Sequence, residues 1–356
     1  MSRPRRISRQ VMVGNIKVGG GAPISVQSMT NTDTRDIKST LDQIAALSKA
    51  GCEIVRVAVP DHEAAEALVT LCRNTDVALV ADIHFDYRLA LASLKAGVAG
   101  LRLNPGNIGG PDRVREVALA AKAGQVPIRI GVNAGSLEPR ILNKYGGITA
   151  AGMVESALDQ AELLEQVGHK DIVLSLKASD VLLTIEAYRL VADRCEYPLH
   201  VGITEAGTIW RGTIRSAVGI GTLLQEGIGD TIRVSLTGDP VEEIRVGYEI
   251  LRSLGLRQRG PTIISCPTCG RCQINLAKLA EEIEVAVADL ETPLKIAIMG
   301  CAVNGPGEAR EADVGIAGGR GSGLIFRRGK VVRKVPEDEL VTALLAEIQT
   351  ALSQQK

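Results

Sequence analysis

The chain has 356 residues, of which 45% are hydrophobic but only 2% aromatic, and its 41 basic and 41 acidic side chains cancel. This length suits two or three domains, or one large barrel with an appendage. The balanced charge argues against nucleic acid or an anionic membrane as a partner, and no apolar run is long enough to span a bilayer. The core must therefore be built from Ala, Val, Ile and Leu, as in many α/β proteins.

In residues 23–254, predicted strands alternate with predicted helices. The candidate strands are Ile24–Met29, Glu53–Val59, Val77–Ile83, Gly100–Leu103, Pro127–Val132, Asp171–Leu176, Pro198–Ile203 and Thr231–Leu236. Helical patterns such as Asp36–Ala50 separate them. Eight such units predict a (β/α)8 barrel of the TIM type, whose active site lies at the carboxyl ends of the strands. An open doubly wound sheet remains an alternative, although no GxGxxG motif opens the first helix.

Several of these strands carry a cation within an aliphatic run. They are Arg56, Arg102, Arg129, Lys177 and Arg233. Burying an unpaired charge is very costly, so cations that converge from different strands on one barrel mouth require an anion. A small phosphorylated ligand is the natural candidate. The alternative is that the cations pair with interior carboxylates such as Glu53, Asp82 and Glu205.

Uncharged polar side chains and two histidines accompany the cations at the predicted strand ends. They include Asn104, Asn133, Ser175, Ser235, His84 and His200. A histidine beside a carboxylate is often structural, but a position at a barrel mouth also suits proton transfer. We expect the other two histidines, His62 and His169, to face solvent.

A domain boundary is predicted at Gly260-Pro261, which gives a barrel over 1–260 and a smaller α+β domain over 261–356. Its predicted strands are Thr262–Ser265, Leu294–Met299, Asp313–Ala317, Gly323–Phe326 and Lys330–Val335, and its predicted helices are Gln273–Leu290 and Glu337–Leu352.

Two loops of this second domain carry four of the seven cysteines. The first reads Cys266-Pro-Thr-Cys269-Gly-Arg-Cys272, and the second runs from Gly300-Cys301 to Glu308. Thiolates at this spacing suit zinc or an iron–sulfur cluster. A zinc ribbon would need a second CxxC pair, and a radical-SAM site would need CxxxCxxC near the first strand. An odd number of cysteines does not suggest a disulfide framework, so we expect a reducing cytoplasm and no export signal.

Several motifs resemble those of the 4-hydroxy-3-methylbut-2-enyl diphosphate synthase family, in the methylerythritol phosphate route to isoprenoids. They are PISVQSMTNT, ADIHF, LRLNPGN, GVNAGSL, GITEAG, SCPTCGR and GCAVNGPGE. The resemblance runs from about Arg9 to the C-terminal helix and matches the two-domain bacterial form.

The resemblance implies a 4Fe–4S cluster held by Cys266, Cys269 and Cys301, with Glu308 as the resting ligand of the fourth iron. Cys272 stands where the family usually has a residue without a thiol. If Cys272 closed the cluster, the domain would only transfer electrons. We expect a non-ligand thiol there, and we expect the remaining cysteines, Cys52, Cys72 and Cys195, to lie in the core.

The family reaction opens the ring of 2-C-methyl-D-erythritol 2,4-cyclodiphosphate and expels water to give 4-hydroxy-3-methylbut-2-enyl diphosphate. Its two electrons come from reduced flavodoxin or ferredoxin, and the family is a homodimer in which one cluster domain closes over the partner's barrel. The resemblance implies that the diphosphate is bound by Arg56, Arg102, Asn104, Arg129, Asn133, Ser175, Lys177 and Ser235. Glu308 would donate a proton, with His84, His200 and Glu205 as further candidates. An iron–sulfur electron carrier and a phosphate-binding barrel with structural zinc remain the alternatives.

Overall fold

The computed structural model describes residues 4–104, 107–301 and 310–354. The chain forms two compact units that meet in sequence between Arg257 and Gln258. In the part of the chain described here, none of the helices combines the length and the apolar character needed to cross a membrane.

The first unit is built on eight parallel strands. They are β3 (Ser25–Met29), β4 (Ile54–Val59), β5 (Ala78–Ile83), β6 (Gly100–Leu103), β7 (Ile128–Asn133), β8 (Ile172–Lys177), β9 (His200–Val201) and β10 (Thr231–Ile232). Their order is β8-β7-β6-β5-β4-β3-β10-β9. A parallel bridge between Leu174 and Leu199 joins the two ends of this order. The sheet is therefore a closed barrel, which confirms the TIM-type prediction and excludes the open sheet.

Helices surround the barrel and bury one face each against it. They are α1 (Ile37–Lys49), α2 (His62–Arg73), α3 (Tyr87–Ala96), α4 (Pro111–Ala123), α5 (Pro139–Tyr145), α6 (Ala150–Glu165), α7 (Val181–Ala192), α8 (Ile209–Gln225) and α9 (Pro240–Ser253). Aspartates cap several of them: the Asp61 side chain accepts a hydrogen bond from Ala64 N, and Asp180 from Leu183 N. Helix α3 ends on Gly97 at φ 91°, a left-handed conformation that glycine adopts without steric cost.

A short antiparallel hairpin precedes the barrel and was not predicted from the sequence. It consists of β1 (Val11–Val13) and β2 (Ile16–Val18). Val13 and Val18 pack with Ile54, Ala78 and Val80, which lie near the amino ends of β4 and β5. The hairpin thus covers the amino end of the barrel, and the carboxyl ends of the strands form its mouth.

Two predicted barrel strands are shorter than expected. The predicted Pro198–Ile203 is paired only over β9, and Thr231–Leu236 only over β10. Beyond β9 and β10, isolated backbone hydrogen bonds still connect neighbouring segments. Arg233 N donates to Val201 O at 2.9 Å, and Thr204 N donates to Ala178 O at 3.3 Å.

The second unit is a five-stranded sheet with two long helices. Its elements are β11 (Thr262–Ser265), α10 (Leu276–Ala286), β12 (Lys295–Met299), β13 (Val314–Gly319), β14 (Ser322–Arg327), β15 (Lys330–Pro336) and α11 (Leu340–Ser353). β11, β12 and β13 are parallel, and β14 and β15 continue the sheet antiparallel. The α+β prediction is confirmed, although the helices start later than predicted. Asn275 caps α10 through Lys278 N, and Glu337–Glu339 form a separate 3₁₀ turn before α11.

Candidate active site

The barrel interior is polar because the cations occupy alternate positions of its strands. In β4 the side chains of Val55 and Val57 pack outward in the core shared with the helices, while Arg56 points the other way. The strand register then aligns the cations. Arg102 of β6 pairs with Arg129 of β7, and Asn133 of β7 pairs with Lys177 of β8. Burial of the outer face therefore fixes the charged residues on the inner face.

Asp82 is the carboxylate that compensates two of these cations. Arg102 Nη1 lies 3.1 Å from Asp82 Oδ1, and Arg56 Nε lies 3.6 Å from Oδ2. His84 Nε2 lies 3.6 Å from the same carboxylate and 3.2 Å from Arg102 Nη1. Burial acts to raise the pKa of Asp82, but Arg56, His84 and Arg102 outweigh it and hold the pKa well below its usual range. Asp82 is therefore an anion that orients both arginines.

Arg129 and Lys177 lack such compensation. Arg129 donates to the side-chain oxygen of Gln27, while its Nε and Nη2 are buried with no hydrogen-bond partner among the described residues. Lys177 is 7% exposed, and no acceptor within residues 4–104, 107–301 and 310–354 bonds to its Nζ. Burial, reinforced by the neighbouring arginines, lowers the pKa of both groups well below their usual values. Orphaned donors of this kind call for an anionic ligand.

Arg233 is held by Glu243, a residue that the sequence analysis did not single out. Arg233 Nε lies 3.2 Å from Glu243 Oε2, and Ser28 Oγ donates to the same oxygen at 2.7 Å. Glu243 lies on α9 and is 3% exposed. Its position on the helix face shared by Ile244 and Gly247 was the available signal, since an acidic residue among buried neighbours usually has a partner.

The interior cations outnumber the carboxylates that face them. Arg56, Arg102, Arg129, Lys177 and Arg233 are five cations against two carboxylates among the described residues, Asp82 and Glu243, which leaves an excess of three when all five are protonated. Burial lowers the pKa of Arg56 to about 10 despite the attraction of Asp82. This unbalanced positive charge on rigid strands is what a diphosphate requires.

The carboxylate-pairing alternative holds for Arg56, Arg102 and Arg233, but not for Arg129 and Lys177 among the described residues. Glu53 bonds Arg257 at 2.6 Å rather than an interior arginine. Glu205 is exposed at φ 51°, and no described residue forms an ion pair with it. Of the three predicted partners only Asp82 pairs with these cations, because Glu53 lies before the amino end of β4 and Glu205 lies in the loop beyond β9.

The histidines fall into three environments. His200 is fully buried on β9, with neither ring nitrogen bonded to any described residue. Burial, together with Arg129 and Lys177, lowers its pKa well below the usual value, so the ring is neutral. The His84 side chain is 52% exposed and precedes Phe85, which has a φ of 63°. His62 is exposed as expected, but His169 is 1% exposed, so its prediction was wrong.

The neutral polar residues occupy the same inner face. Asn133 ends β7, Ser175 lies one inward position before Lys177, and both Asn104 and Ser175 are buried. Ser235 is half-buried three residues beyond β10. The barrel therefore brings together all eight predicted substrate-binding residues on strands or just beyond them.

The thiols of the second unit sit where two neighbouring parallel strands end. Cys266 directly follows β11, and Gly300-Cys301 directly follow β12. Cys266 N donates to Ile298 O at 3.2 Å, and Gly300 N donates to Cys266 Sγ at 3.3 Å. Cys269 is exposed. Hydrogen bonds to sulfur are a regular feature of iron–sulfur sites, so the thiol donors and the bond from Gly300 N are of the kind such a cluster uses.

Among the described residues, no three metal-ligating side chains lie close enough together to form a metal site. Glu308 falls outside the described residues, so its role remains a prediction. Cys272 Sγ donates to Ile274 O at 3.3 Å and packs against Gly300, where an added Cβ would lie 2.5 Å from that sulfur. This contact and this packing agree with a non-ligand role. Cys52 is buried as expected, whereas Cys72 and Cys195 are only half-buried.

Fold and site together define a TIM-type barrel with an excess of cations in its interior, followed in the chain by an α+β unit with thiol-bearing loops. The chain belongs to the GcpE family: residues 8–248 match the GcpE TIM-barrel domain, and residues 262–350 match the GcpE protein C-terminal domain.

Relatives of high identity span the whole chain. It is 63% identical to a Geobacter sulfurreducens protein over 98% of both chains, and 57% identical to a Caldanaerobacter subterraneus protein over 100% of both. Both relatives are named 4-hydroxy-3-methylbut-2-en-1-yl diphosphate synthase (flavodoxin).

Solved structures resemble the fold alone. Dihydropteroate synthase from Stenotrophomonas maltophilia matches 70% of this chain and 98% of its own with a TM-score of 0.52 and 12% identity. A truncated 3-deoxy-D-arabino-heptulosonate 7-phosphate synthase from Thermotoga maritima matches 70% of this chain and 91% of its own with a TM-score of 0.51 and 12% identity. Identity this low says nothing of the reaction.

Proposed function

We propose that this protein is a 4-hydroxy-3-methylbut-2-en-1-yl diphosphate synthase that uses flavodoxin as its reductant. It converts 2-C-methyl-D-erythritol 2,4-cyclodiphosphate to 4-hydroxy-3-methylbut-2-enyl diphosphate and water, with the uptake of two electrons and two protons. The observation that carries the proposal is the excess of buried cations in the barrel of a chain from this family.

The barrel cations bind the diphosphate. Arg129 and Lys177 have free hydrogen-bonding capacity within the described structure, whereas Arg56 and Arg102 are oriented by Asp82. Asn104, Asn133, Ser175 and Ser235 add neutral contacts. As the bond between carbon and the diphosphate oxygen breaks, negative charge grows on that oxygen. Cations already fixed on strands stabilise this charge without reorganisation.

The second domain holds the cofactor, which we assign as a 4Fe–4S cluster bound by Cys266, Cys269 and Cys301. When bound, such a cluster supplies electrons one at a time and a Lewis-acidic iron. Glu308 is proposed as the exchangeable fourth ligand and as the donor of the proton that turns the leaving hydroxyl into water. The hydrogen bond from Cys272 Sγ to Ile274 O supports a non-ligand role for that thiol. We assign the substrate role to residues 1–260 and the cluster role to 261–356.

The histidines and Glu205 are candidates for orientation and proton transfer. His200 is neutral and buried next to the cations, so it can orient a ligand through its one ring N–H but carries no imidazolium proton. His84 is exposed beside Asp82 and Arg102 and can exchange protons with solvent. Glu205 is exposed in a left-handed conformation, a type of backbone strain that is concentrated at functional sites.

We further propose a cytoplasmic homodimer in which the cluster domain of one chain closes over the barrel of the other. A stripe on α8 supports an interface: Trp210 is 76% exposed, Ile214 47% and Val218 52%. Exposed aromatic and aliphatic residues along one helix face are typical of interfaces. The double variant Trp210→Asp/Ile214→Asp should sediment as a monomer and lose turnover. A Lys38→Ala/Lys95→Ala variant, which lowers the net charge by the same amount, should remain a dimer, and a dimeric α8 variant would exclude this face.

Anaerobic purification followed by iron and sulfide analysis tests the cofactor. Four irons and four sulfides per chain are expected for a 4Fe–4S cluster. Zinc without sulfide would instead favour the phosphate-binding barrel with a structural metal. A cluster-loaded protein that reduces a dye but does not convert the cyclic diphosphate would be an electron carrier.

A further inference from the structure

A basic surface on the second unit takes no part in the proposed chemistry. Residues 320–334 contain six of the eleven basic residues of 261–356 and no acidic residue: Arg320, Arg327, Arg328, Lys330, Arg333 and Lys334. The stretch comprises the turn before β14, the strand β14, the turn after it and most of β15. Because the whole chain has no net charge, this is a local imbalance. We call this stretch the basic hairpin.

Most of this positive charge is not neutralised by the described residues of the unit. Arg327 pairs with Glu347 at 3.1 Å, and Arg333 donates to Ala343 O at 2.9 Å. The other four, Arg320, Arg328, Lys330 and Lys334, are exposed, and no carboxylate among the described residues lies within ion-pair distance of them. Four exposed and unpaired cations produce a field that attracts an acidic partner.

The basic hairpin also contains two exposed valines. Val331 is 61% exposed and Val332 43%, and both lie on β15. This strand is the edge of the sheet and pairs only with β14 within the described structure. Exposed apolar residues close to charged ones are typical of a protein interface, whereas a free phosphate or nucleotide would not require the valines.

A packed layer connects the basic hairpin to the thiol loop. Val331 pairs with Phe326 of β14. Phe326 packs in one buried cluster with Ala297 and Met299 of β12, and Cys266 packs against the same cluster. The surface is therefore joined to a proposed cluster ligand by densely packed protein rather than by solvent.

We propose that the basic hairpin is the docking surface for the acidic face of a flavin-carrying electron donor. This inference rests on the proposed function, which consumes two electrons that the chain itself does not supply. The donor delivers them in two one-electron steps, each of which oxidises the flavin by one electron. With two protons, they convert the cyclic diphosphate to the open diphosphate and one water.

The competing explanation is that lysines on an edge strand prevent strand-to-strand aggregation. This explanation predicts that charge reversal causes aggregation and leaves the affinity for the donor unchanged. The docking proposal predicts weaker binding whose dependence on salt is reduced, because exposed interfacial charges mainly control association rate and ionic-strength sensitivity.

The test is the triple variant Arg328→Asp/Lys330→Glu/Lys334→Glu, with Lys17→Glu/Lys38→Glu/Lys95→Glu on the first unit as the control of equal charge change. Asp is chosen at Arg328 because its φ is 47°, which Asp tolerates better than Glu. The Kd for reduced flavodoxin is measured by titration across a salt series, and turnover is measured with flavodoxin and with a dithionite-reduced viologen.

We expect the triple variant to raise the Kd and the KM for flavodoxin about tenfold or more, to flatten the salt dependence, and to leave viologen-driven turnover unchanged. An affinity and salt dependence equal to those of the control would overturn the proposal. If the triple variant aggregates, Arg320→Glu/Arg328→Asp is used instead, because both residues lie in turns outside the paired strand. If the Kd of this double variant for flavodoxin is severalfold above that of the control, the docking proposal is supported. If the two Kd values are equal, the proposal is refuted.

The two proposals fail in different ways. An unmodified, cluster-loaded protein that does not convert the cyclic diphosphate with viologen would contradict the proposed function. The flavodoxin titration needs no substrate, so it still decides whether the basic hairpin binds the donor.

Discussion

The two units of this protein position their functional groups in opposite ways. In the barrel, the cations lie on strands whose outer faces are buried, so their positions are fixed before any ligand arrives. In the second unit, the thiols lie in loops at strand ends, and Cys269 is exposed. A preorganised charge costs stability in the empty protein, whereas a loop ligand is ordered by the group it binds. The following predictions test this difference.

The largest effect is expected from loss of a proposed cluster ligand. Cys266→Ser should remove most of the bound iron and lower turnover about a thousandfold, because three thiolates are needed to hold the cluster. Cys272→Ser is the matched control and should keep both the iron content and the visible spectrum. Loss of iron in the Cys272 variant would show that the ligand set is misassigned.

Removal of a barrel cation should lower activity but raise stability. Arg129→Met should lower kcat/KM about a hundredfold, since it removes donors to the developing charge. It should also raise the free energy of unfolding of the ligand-free protein by about 1 kcal/mol, because a buried and poorly compensated charge is lost. Steady-state kinetics and urea unfolding measure the two effects. Arg115→Met, at an exposed position with no ion pair among the described residues, should change neither; a destabilised Arg129 variant would contradict preorganised charge.

Lys177 should make ligand binding depend on pH. Its pKa is lowered in the fold, so the unfolded chain binds more protons between that lowered pKa and the usual lysine value. Stability of the empty protein therefore rises with pH across this window. A bound diphosphate favours the charged Lys177 amine, so the complex binds more protons in this window than the empty protein does.

Calorimetry of diphosphate binding in buffers of different ionisation enthalpy measures this proton uptake. Uptake should be larger in the parent protein than in Lys177→Met. The affinity of the parent should fall severalfold as the pH rises through the same window. Equal uptake in the two proteins would mean that Lys177 is already charged in the empty barrel.

The smallest effect concerns the packing of the thiol loop. Gly300→Ala places a methyl group against Cys272 Sγ and should destabilise the protein by about 1 kcal/mol. Adding Cys272→Gly removes that sulfur and should recover part of the loss, which thermal unfolding of the single and double variants measures. Additive losses would show that the two residues do not contact each other in solution.

Much of the fold could be predicted from the sequence, because aliphatic strands and amphipathic helices report burial directly. The eight barrel strands and the five strands of the second unit lie where the pattern placed them. The hairpin β1–β2 was missed because strands of three residues are too short to show a period. His169 was misjudged since its burial depends on neighbours that are remote in sequence.

The sequence by itself determined the family, the barrel, the cations and the thiols, because each leaves a local pattern of residue types. Only the tertiary structure decided which charges are compensated. Asp82 pairs with Arg56 and Arg102, Glu243 of α9 pairs with Arg233, and Arg129 and Lys177 keep unused donors. Pairing depends on distances of a few ångströms between distant parts of the chain, set by the strand register and the packing of helices. No local pattern encodes those distances.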